Sequence, residues 1–241
     1  DHLPLALREA LPRVSAELDE LARVRSEHPG RDGSARLLVD LADGQTVESV
    51  LLPRDGVCVS TQVGCAVGCL FCMTGRDGLL RQLGSAEIIA QVVLARRRRS
   101  VRRVVFMGMG EALANYKAAI GAIRRLTEPA PSGLGISARG ITMSTVGLVP
   151  GIDRLTAEGI PVTLALSLHA PDDELRDELV PINTRWKVDE ALDAAYRYHE
   201  ATGRRVSIEY ALIRDINDQA WRADLLGQKL RQRGRGWVHV N

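Results

Sequence analysis

Apolar residues fall at helical spacing along LPLALREALPRVSAELDELARVRSEH, residues 3–28, which predicts one amphipathic helix closed by the breaker PGRDG. Two short alternating segments follow, SARLLVDLADG and QTVESVLLP, and the DG between them predicts a β-hairpin. From there the rhythm changes. GVCVSTQVG (56–64) reads as a strand, and SAEIIAQVVLARRRRS as a helix opened by Ser85 with Glu87 in its first turn. Strand and helix then alternate through RRVVFMGMG, YKAAIGAIRRLTE, GITMSTVG, PGIDRLTAEG and PVTLALSLHA. The helices DDELRDELV and KVDEALDAAYRYHEATG, strand RVSIEYALI, helix QAWRADLLGQKLRQRG and strand WVHVN complete the chain. Apolar strands separated by amphipathic helices predict parallel βαβ units. About six units fit the available length, too few for a closed eight-fold barrel and enough for a partial one. The expected fold is therefore α/β, a partial (β/α)6 barrel over 57–241, preceded by a helical segment (1–33) and a β-hairpin extension (34–56). Such sheets carry their chemistry at the C-terminal ends of the strands, where CAVGCLFC, GMGEAL, STVG and SLHA fall.

Composition narrows this picture. The 241 residues are 45% hydrophobic and 26% charged, as in a globular protein with a substantial core. No apolar run approaches the roughly 18–20 residues of a membrane span, so a cytoplasmic location without a membrane partner is expected. The net charge of +2 gives no general pull on nucleic acid. Local patches would have to supply it, namely ARRRRSVRR (Arg96–Arg99, Arg102, Arg103) and RQRGRG near the end. Each reads equally well as a cationic helix end or as an RNA contact. The few aromatic residues are scattered, so no base-stacking platform is visible.

The four cysteines change the picture most, because all of them lie between Cys58 and Cys72. In a reducing compartment such clustering points to metal ligands or redox chemistry before structural disulfides. Cys65, Cys69 and Cys72, spaced C-x3-C-x2-C, can hold three irons of an iron–sulfur cube and leave the fourth open to a ligand. A zinc site with Cys58 as fourth ligand is the alternative, although structural zinc prefers paired C-x2–4-C arms.

This spacing, with Phe71 before the last cysteine, resembles the signature of the radical S-adenosylmethionine (SAM) enzymes. The resemblance is closer still in CVSTQVGCAVGCLFCMTG, VVFMGMGEAL, ITMSTVGLVPGI, LALSLHAPDDELRDELVPIN and SIEYALI. These blocks, in order from about residue 30 to the last residue, resemble the dual-specificity RNA methyltransferase family and its antibiotic-resistance relatives. The family resemblance implies a radical SAM barrel with a 4Fe-4S cluster on Cys65, Cys69 and Cys72. It implies SAM contacts at Gly110, Glu111, Ser144, Ser167, Leu168 and His169, and a proton-handling carboxylate at Glu48. Cys58 matches the family's resolving cysteine. It attacks the sulfur of a separate methyl-carrying cysteine after the methyl carbon has joined adenine, which releases product and leaves a disulfide. The implied substrate is an adenine of 23S rRNA, with tRNA as a second candidate and C2 as the expected carbon. An electron donor such as flavodoxin and a monomeric state are also expected. No cysteine follows Cys72, so the methyl carrier is expected on a longer chain of which this sequence is part. Ala112 stands where the family usually has proline, and Val146 where it usually has serine. The rival readings are a relative acting at C8, a divergent paralogue without RNA methylation, and a zinc-stabilised RNA-binding module. Singly, GMGE reads as a turn, Ser144 as a cap and His169 as a structural histidine; their joint placement at predicted strand ends favours a site.

Overall fold

The computed structural model describes residues 4–241. Helix α1 (Leu5–Leu21) is shorter than its periodicity predicts, because Ala22–Pro29 forms strand β1. That segment alternates apolar Ala22 and Val24 with Arg23 and Arg25, a pattern as good for a strand as for a helix end. Its partner decides: β1 pairs antiparallel with β2 (Ala35–Leu41), and Arg25 meets Asp40 at 2.7 Å across the pair. β3 (Thr46–Leu52) closes the expected hairpin. Val47, Ser49 and Leu51 of β3 are buried on one face, while Glu48 and Val50 alternate onto the other.

The expected strand over 56–64 is two strands. β4 (Gly56–Cys58) stays in the main sheet, and β5 (Gln62–Gly64) leaves it to form a separate ribbon with β6 (Leu79–Gln82). Arg81 anchors this ribbon, with both terminal nitrogens on the carboxylate of Glu87 at 2.8 and 3.0 Å. Glu87 also accepts from the Gly84 N–H at the start of α2 (Ser85–Arg96). The alternation then runs β7 (Arg103–Phe106), α3 (Tyr116–Thr127), β8 (Ile141–Thr145), α4 (Val149–Glu158), β9 (Thr163–Ser167) and α5 (Asp173–Leu179). It finishes with α6 (Val188–Thr202), β10 (Val206–Glu209), α7 (Ala220–Gln232) and β11 (Val238–Val240).

The main sheet has the order β1-β2-β3-β4-β7-β8-β9-β10-β11. β4 through β11 in that order are mutually parallel, giving the six strands of a partial barrel, and the antiparallel β1–β3 unit continues the same sheet through β3–β4 pairing. Val104, Phe106, Ile141, Met143, Leu164, Leu166 and Ile208 are buried beneath the helices. The opposite, concave face carries Val105, Thr142, Ser144, Ser167, Ser207 and Glu209, all partly exposed. A sheet with one apolar face and one small polar face has room for a ligand on the latter.

The arginine run is structural. Arg97 reaches Asp19 of α1 at 2.6 Å, Arg98 reaches Glu27 of β1 at 3.1 Å, and Arg103 reaches Asp55 at 3.2 Å. Arg99 donates to the carbonyls of Gly33 and Leu52. The run at the end of α2 therefore holds the N-terminal unit against the barrel. Arg233 near the chain end likewise pairs with Asp189 and Asp193 of α6. Among the described residues no helix is long and apolar enough to cross a membrane.

A buried amide joins the two units more firmly. Gln91 of α2 accepts from Ser49 Oγ at 2.7 Å and from the Ser60 N–H at 2.8 Å, and donates to the Ser60 carbonyl at 2.9 Å. Gln91→Leu leaves these buried groups without partners, and each orphan costs about 1–3 kcal/mol. The expected loss is roughly 2–4 kcal/mol, read as a lower urea midpoint at an unchanged denaturant slope.

Candidate active site

The cysteine loop begins where β5 ends. Gly64 has φ +76°, and a Cβ there would lie 2.1 Å from the Gly78 carbonyl oxygen, so the tight entry into the loop requires glycine. Cys65 donates its N–H to that carbonyl, and Cys72 donates to the Cys69 carbonyl. The loop is fastened to α5 by a hydrogen bond from Leu70 N–H to the Leu179 carbonyl at 3.1 Å. Phe71 meets His169 edge to face, with ring centroids 4.9 Å apart.

All four cysteines are free thiols. Burial pushes Cys69 up to about 12, and the neighbouring Cys72 and Cys65 add to the effect. Burial also raises Cys65, with Glu111 and Cys72 contributing. The three loop thiols thus lie within electrostatic reach of one another. Among the described residues no three Cys, His, Asp or Glu side chains converge as a single metal ion requires. An iron–sulfur cube gives each thiolate its own iron. The donor set, three thiols on one loop, fits such a cluster better than one zinc ion.

Facing the loop is a cavity of about 260 Å³ at the C-terminal strand ends, lined by Gly108, Gly110, Glu111, Ser144, Ser167 and Glu209 among others. The sheet register explains the grouping, since Ser144 lies opposite Ala165 and Ser167 opposite Glu209. The two serine hydroxyls are 3.2 Å apart. Gly110 has φ +99°, and a Cβ there would lie 2.5 Å from Gln62.

Glu111 is buried. One carboxylate oxygen accepts from the Leu113 N–H at 3.0 Å and the other from the Val146 N–H at 2.9 Å. Burial raises its pKa to about 7 against the pull of these donors. His169 adopts φ +61°, a left-handed conformation uncommon for a non-glycine residue. Its Nδ1 accepts from the Ala211 N–H at 3.1 Å, which leaves the proton on Nε2. Burial, assisted by Arg176, lowers its pKa to about 4, so the ring is neutral at physiological pH. Leu168 differs from its neighbours: its side chain is in the core, its N–H donates to the Glu209 carbonyl and its carbonyl accepts from Arg176.

Glu48 and Cys58 reach the same concave face. Val50 pairs with Cys58 in the β3–β4 ladder, Cys58 pairs with Val105 of β7, and strand alternation puts Glu48 beside Val50. Glu48 forms a 3.0 Å ion pair with Arg36, and its backbone N–H faces Met109 Sδ in the glycine loop. Cys58 is buried, and its pKa is pushed up to about 11 by burial, only partly offset by the Met107 N–H. Cys58 lies on β4 within the main sheet, whereas the other three cysteines lie in the loop that follows the β5–β6 ribbon's first strand.

Four residues with no signal of their own in the sequence also shape this site. Gln62 accepts the Glu111 N–H at 2.8 Å, and Asn217 donates to the carbonyls of His169 and Ala211 at 2.7 and 2.8 Å. Glu209 lines the cavity. Arg176 is fully buried and donates to Leu168 O, Ser167 O, Val146 O and Asn183 Oδ1. Arg176 and Asn183 sit within the block LALSLHAPDDELRDELVPIN, but an arginine in a charged helix carries no local signal of burial.

A strand-end cavity beside three cysteines defines the class, and the Radical SAM superfamily profile matches residues 59–225, more than half the chain. The crystal structure of a radical SAM methyltransferase from Sphaerobacter thermophilus superimposes with a TM-score of 0.87 at 44% identity, covering 100% of this chain and 71% of that one. The chain is 67% identical over 217 residues to the probable dual-specificity RNA methyltransferase RlmN of Kineococcus radiotolerans, covering 85% of this chain and 56% of that protein. It is 52% identical over 248 residues to the protein of the same name from Mycobacterium marinum, covering 99% and 68%. The chain belongs to the radical SAM superfamily and, within it, to the dual-specificity RNA methyltransferase family. It spans from a little over half to about two thirds of the length of these curated relatives.

The buried Glu111 carboxyl sets a pH dependence. Its folded pKa of about 7 stands above the free value of 4.5, so the folded chain binds its proton more tightly than the unfolded chain does. Its contribution to stability is therefore greatest below about pH 4.5 and falls as pH rises towards about 7, by roughly 3 kcal/mol in all. Urea midpoints measured across that window should show the decline, and Glu111→Gln should flatten it.

Proposed function

We propose that this chain forms the catalytic barrel of a radical SAM methyltransferase acting on an adenine of RNA. The barrel spans 57–241, with 1–33 and 34–56 as an accessory unit. The observation that carries the proposal is the loop of three free cysteines fastened beside the polar cavity at the strand ends. Cys65, Cys69 and Cys72 would hold a 4Fe-4S cluster, and the cavity with Gly110, Glu111, Ser144 and Ser167 would take SAM. When bound, these groups supply one-electron reductive cleavage of a sulfur–carbon bond and hence a carbon radical.

The chain's own residues prepare that chemistry. Glu111 presents carboxylate character to a ligand ammonium, and binding such a cation would favour its ionised form. The serine hydroxyls offer donors and acceptors to a ligand carboxylate or ribose. Neutral His169 adds no further cationic charge beside Arg176. Cys58 is protonated at rest and therefore unreactive, as suits a thiol that attacks only once substrate is in place. Glu48 lies on the same face with its carboxylate held by Arg36, and release from that pair would free it to move a proton.

RNA would approach over the exposed face of the β1–β3 unit. Arg23, Arg25 and Arg36 project there, with side chains at least half exposed, on the face that carries Glu48. By resemblance to the family, the substrate is C2 of an adenine in 23S rRNA, with tRNA as a second substrate and a flavodoxin-type protein as electron donor.

Anaerobic reconstitution tests the metal assignment. Cys65→Ala, Cys69→Ala and Cys72→Ala should each lose iron, sulfide and SAM cleavage, whereas Cys58→Ala should keep all three. A colourless wild-type protein with stoichiometric zinc would overturn the assignment. For the RNA face, the triple change of Arg23, Arg25 and Arg36 to alanine should weaken RNA binding irrespective of sequence. It should also flatten the salt dependence by about 0.7–0.9 for each phosphate no longer neutralised. Unchanged affinity in a filter-binding assay would place the RNA elsewhere.

A further inference from the structure

Arg176 is a fully buried cation, and no carboxylate among the described residues pairs with it directly. Its bonds go to the carbonyls of Leu168 at 2.8 Å, Val146 at 2.6 Å and Ser167 at 3.1 Å, and to Asn183 Oδ1 at 2.7 Å. Asp173 and Asp177 stand one layer further out, and each accepts from the other end of the Asn183 amide. Both have other partners: Asp177 pairs with Lys187 at 2.8 Å, and Asp173 accepts the Val188 N–H. Removing a guanidinium from water costs several kcal/mol unless negative charge repays it. Carbonyl dipoles repay part of that cost.

Two of its attachments lead to the cysteine loop. Arg176 sits on α5, the helix whose Leu179 carbonyl receives the loop's Leu70 N–H. Arg176 grips the Leu168 carbonyl, and the next residue, His169, packs on Phe71 between Cys69 and Cys72. The guanidinium is thus tied to both supports of the loop.

We propose that Arg176 is the built-in counter-cation of the iron–sulfur cluster, a positioning residue that seats the cysteine loop on the strand ends and favours one-electron reduction of the cluster. This rests on the reading that Cys65, Cys69 and Cys72 hold the cluster. One electron passes from a low-potential one-electron donor, which is oxidised, to the cluster, whose negative charge grows by one. Arg176 keeps its proton and makes or breaks no covalent bond. A fixed cation in a low-dielectric site stabilises the more negative state.

The experiment uses the full chain, reconstituted anaerobically with iron and sulfide and titrated with dithionite in the absence of SAM. Electron paramagnetic resonance reads the reduced fraction. Arg176→Gln should make the reduction equilibrium at least about tenfold less favourable, a fall of about 59 mV for one electron. Arg176→Lys should restore most of the wild-type value. A loaded Arg176→Gln protein with an unchanged potential overturns the proposal. If Arg176→Gln fails to fold, the double variant Asp173→Asn, Asp177→Asn decides. Removing these two anions leaves the cation less offset and should raise the potential, and no rise overturns the proposal. Wild-type protein that takes up no iron would instead overturn the cluster reading, and the role of Arg176 with it.

Discussion

One residue, Val146, is held through both of its flanking peptide groups by buried charged side chains. Glu111 accepts its N–H and Arg176 donates to its carbonyl. Through these bonds the glycine loop after β7, the end of β8, the end of β9 and helix α5 become one rigid rim. Glu111 is itself fixed by Gln62, which begins the ribbon leading to the cysteines. The same clamp explains why valine is tolerated at 146, where the family usually has serine: both bonds use its backbone.

The barrel is left open on its concave face, and the N-terminal unit lengthens that face. Because β3 pairs with β4 in the same sheet, Glu48 and Arg36 lie on a surface continuous with Cys58 and the strand-end cavity. The arginines at the end of α2 fix the angle of this unit by pairing with acids of α1 and β1. Exposed pairs of this kind each contribute only about 0–1 kcal/mol. The buried Gln91 bonds and the shared sheet carry most of the attachment.

The cysteines divide by environment. The loop thiols are partly exposed, and burial together with mutual crowding raises Cys65 and Cys69, so a bound cation would have to displace their protons. Cys58 is enclosed between strands and held in its protonated form. A buried thiol with a high pKa is a poor nucleophile until its surroundings change. Residues of the same type fourteen positions apart or fewer thus sit in different settings, a partly exposed loop and the interior of the sheet.

Much of this was legible in the sequence. Helical and strand periodicities located the alternating units, and their number specified a partial barrel. The C-x3-C-x2-C spacing marked the loop, since donors three and four residues apart can converge once a turn folds the chain back. Local pattern failed at Ala22–Pro29, where the presence of β2 chose strand over helix, and at Val59–Thr61, where the chain leaves the sheet. It also left the arginine run open between a cationic helix end and an RNA contact; the acids that receive it come from residues 19–55, far away in the chain. Sequence determined most of the elements and the clustering of the three loop cysteines, because periodicity and residue spacing are local. The burial of Arg176, the raised pKa of Glu111 and the separation of Cys58 from the other thiols were decided only by the tertiary structure, because burial and electrostatic environment depend on neighbours brought together by folding.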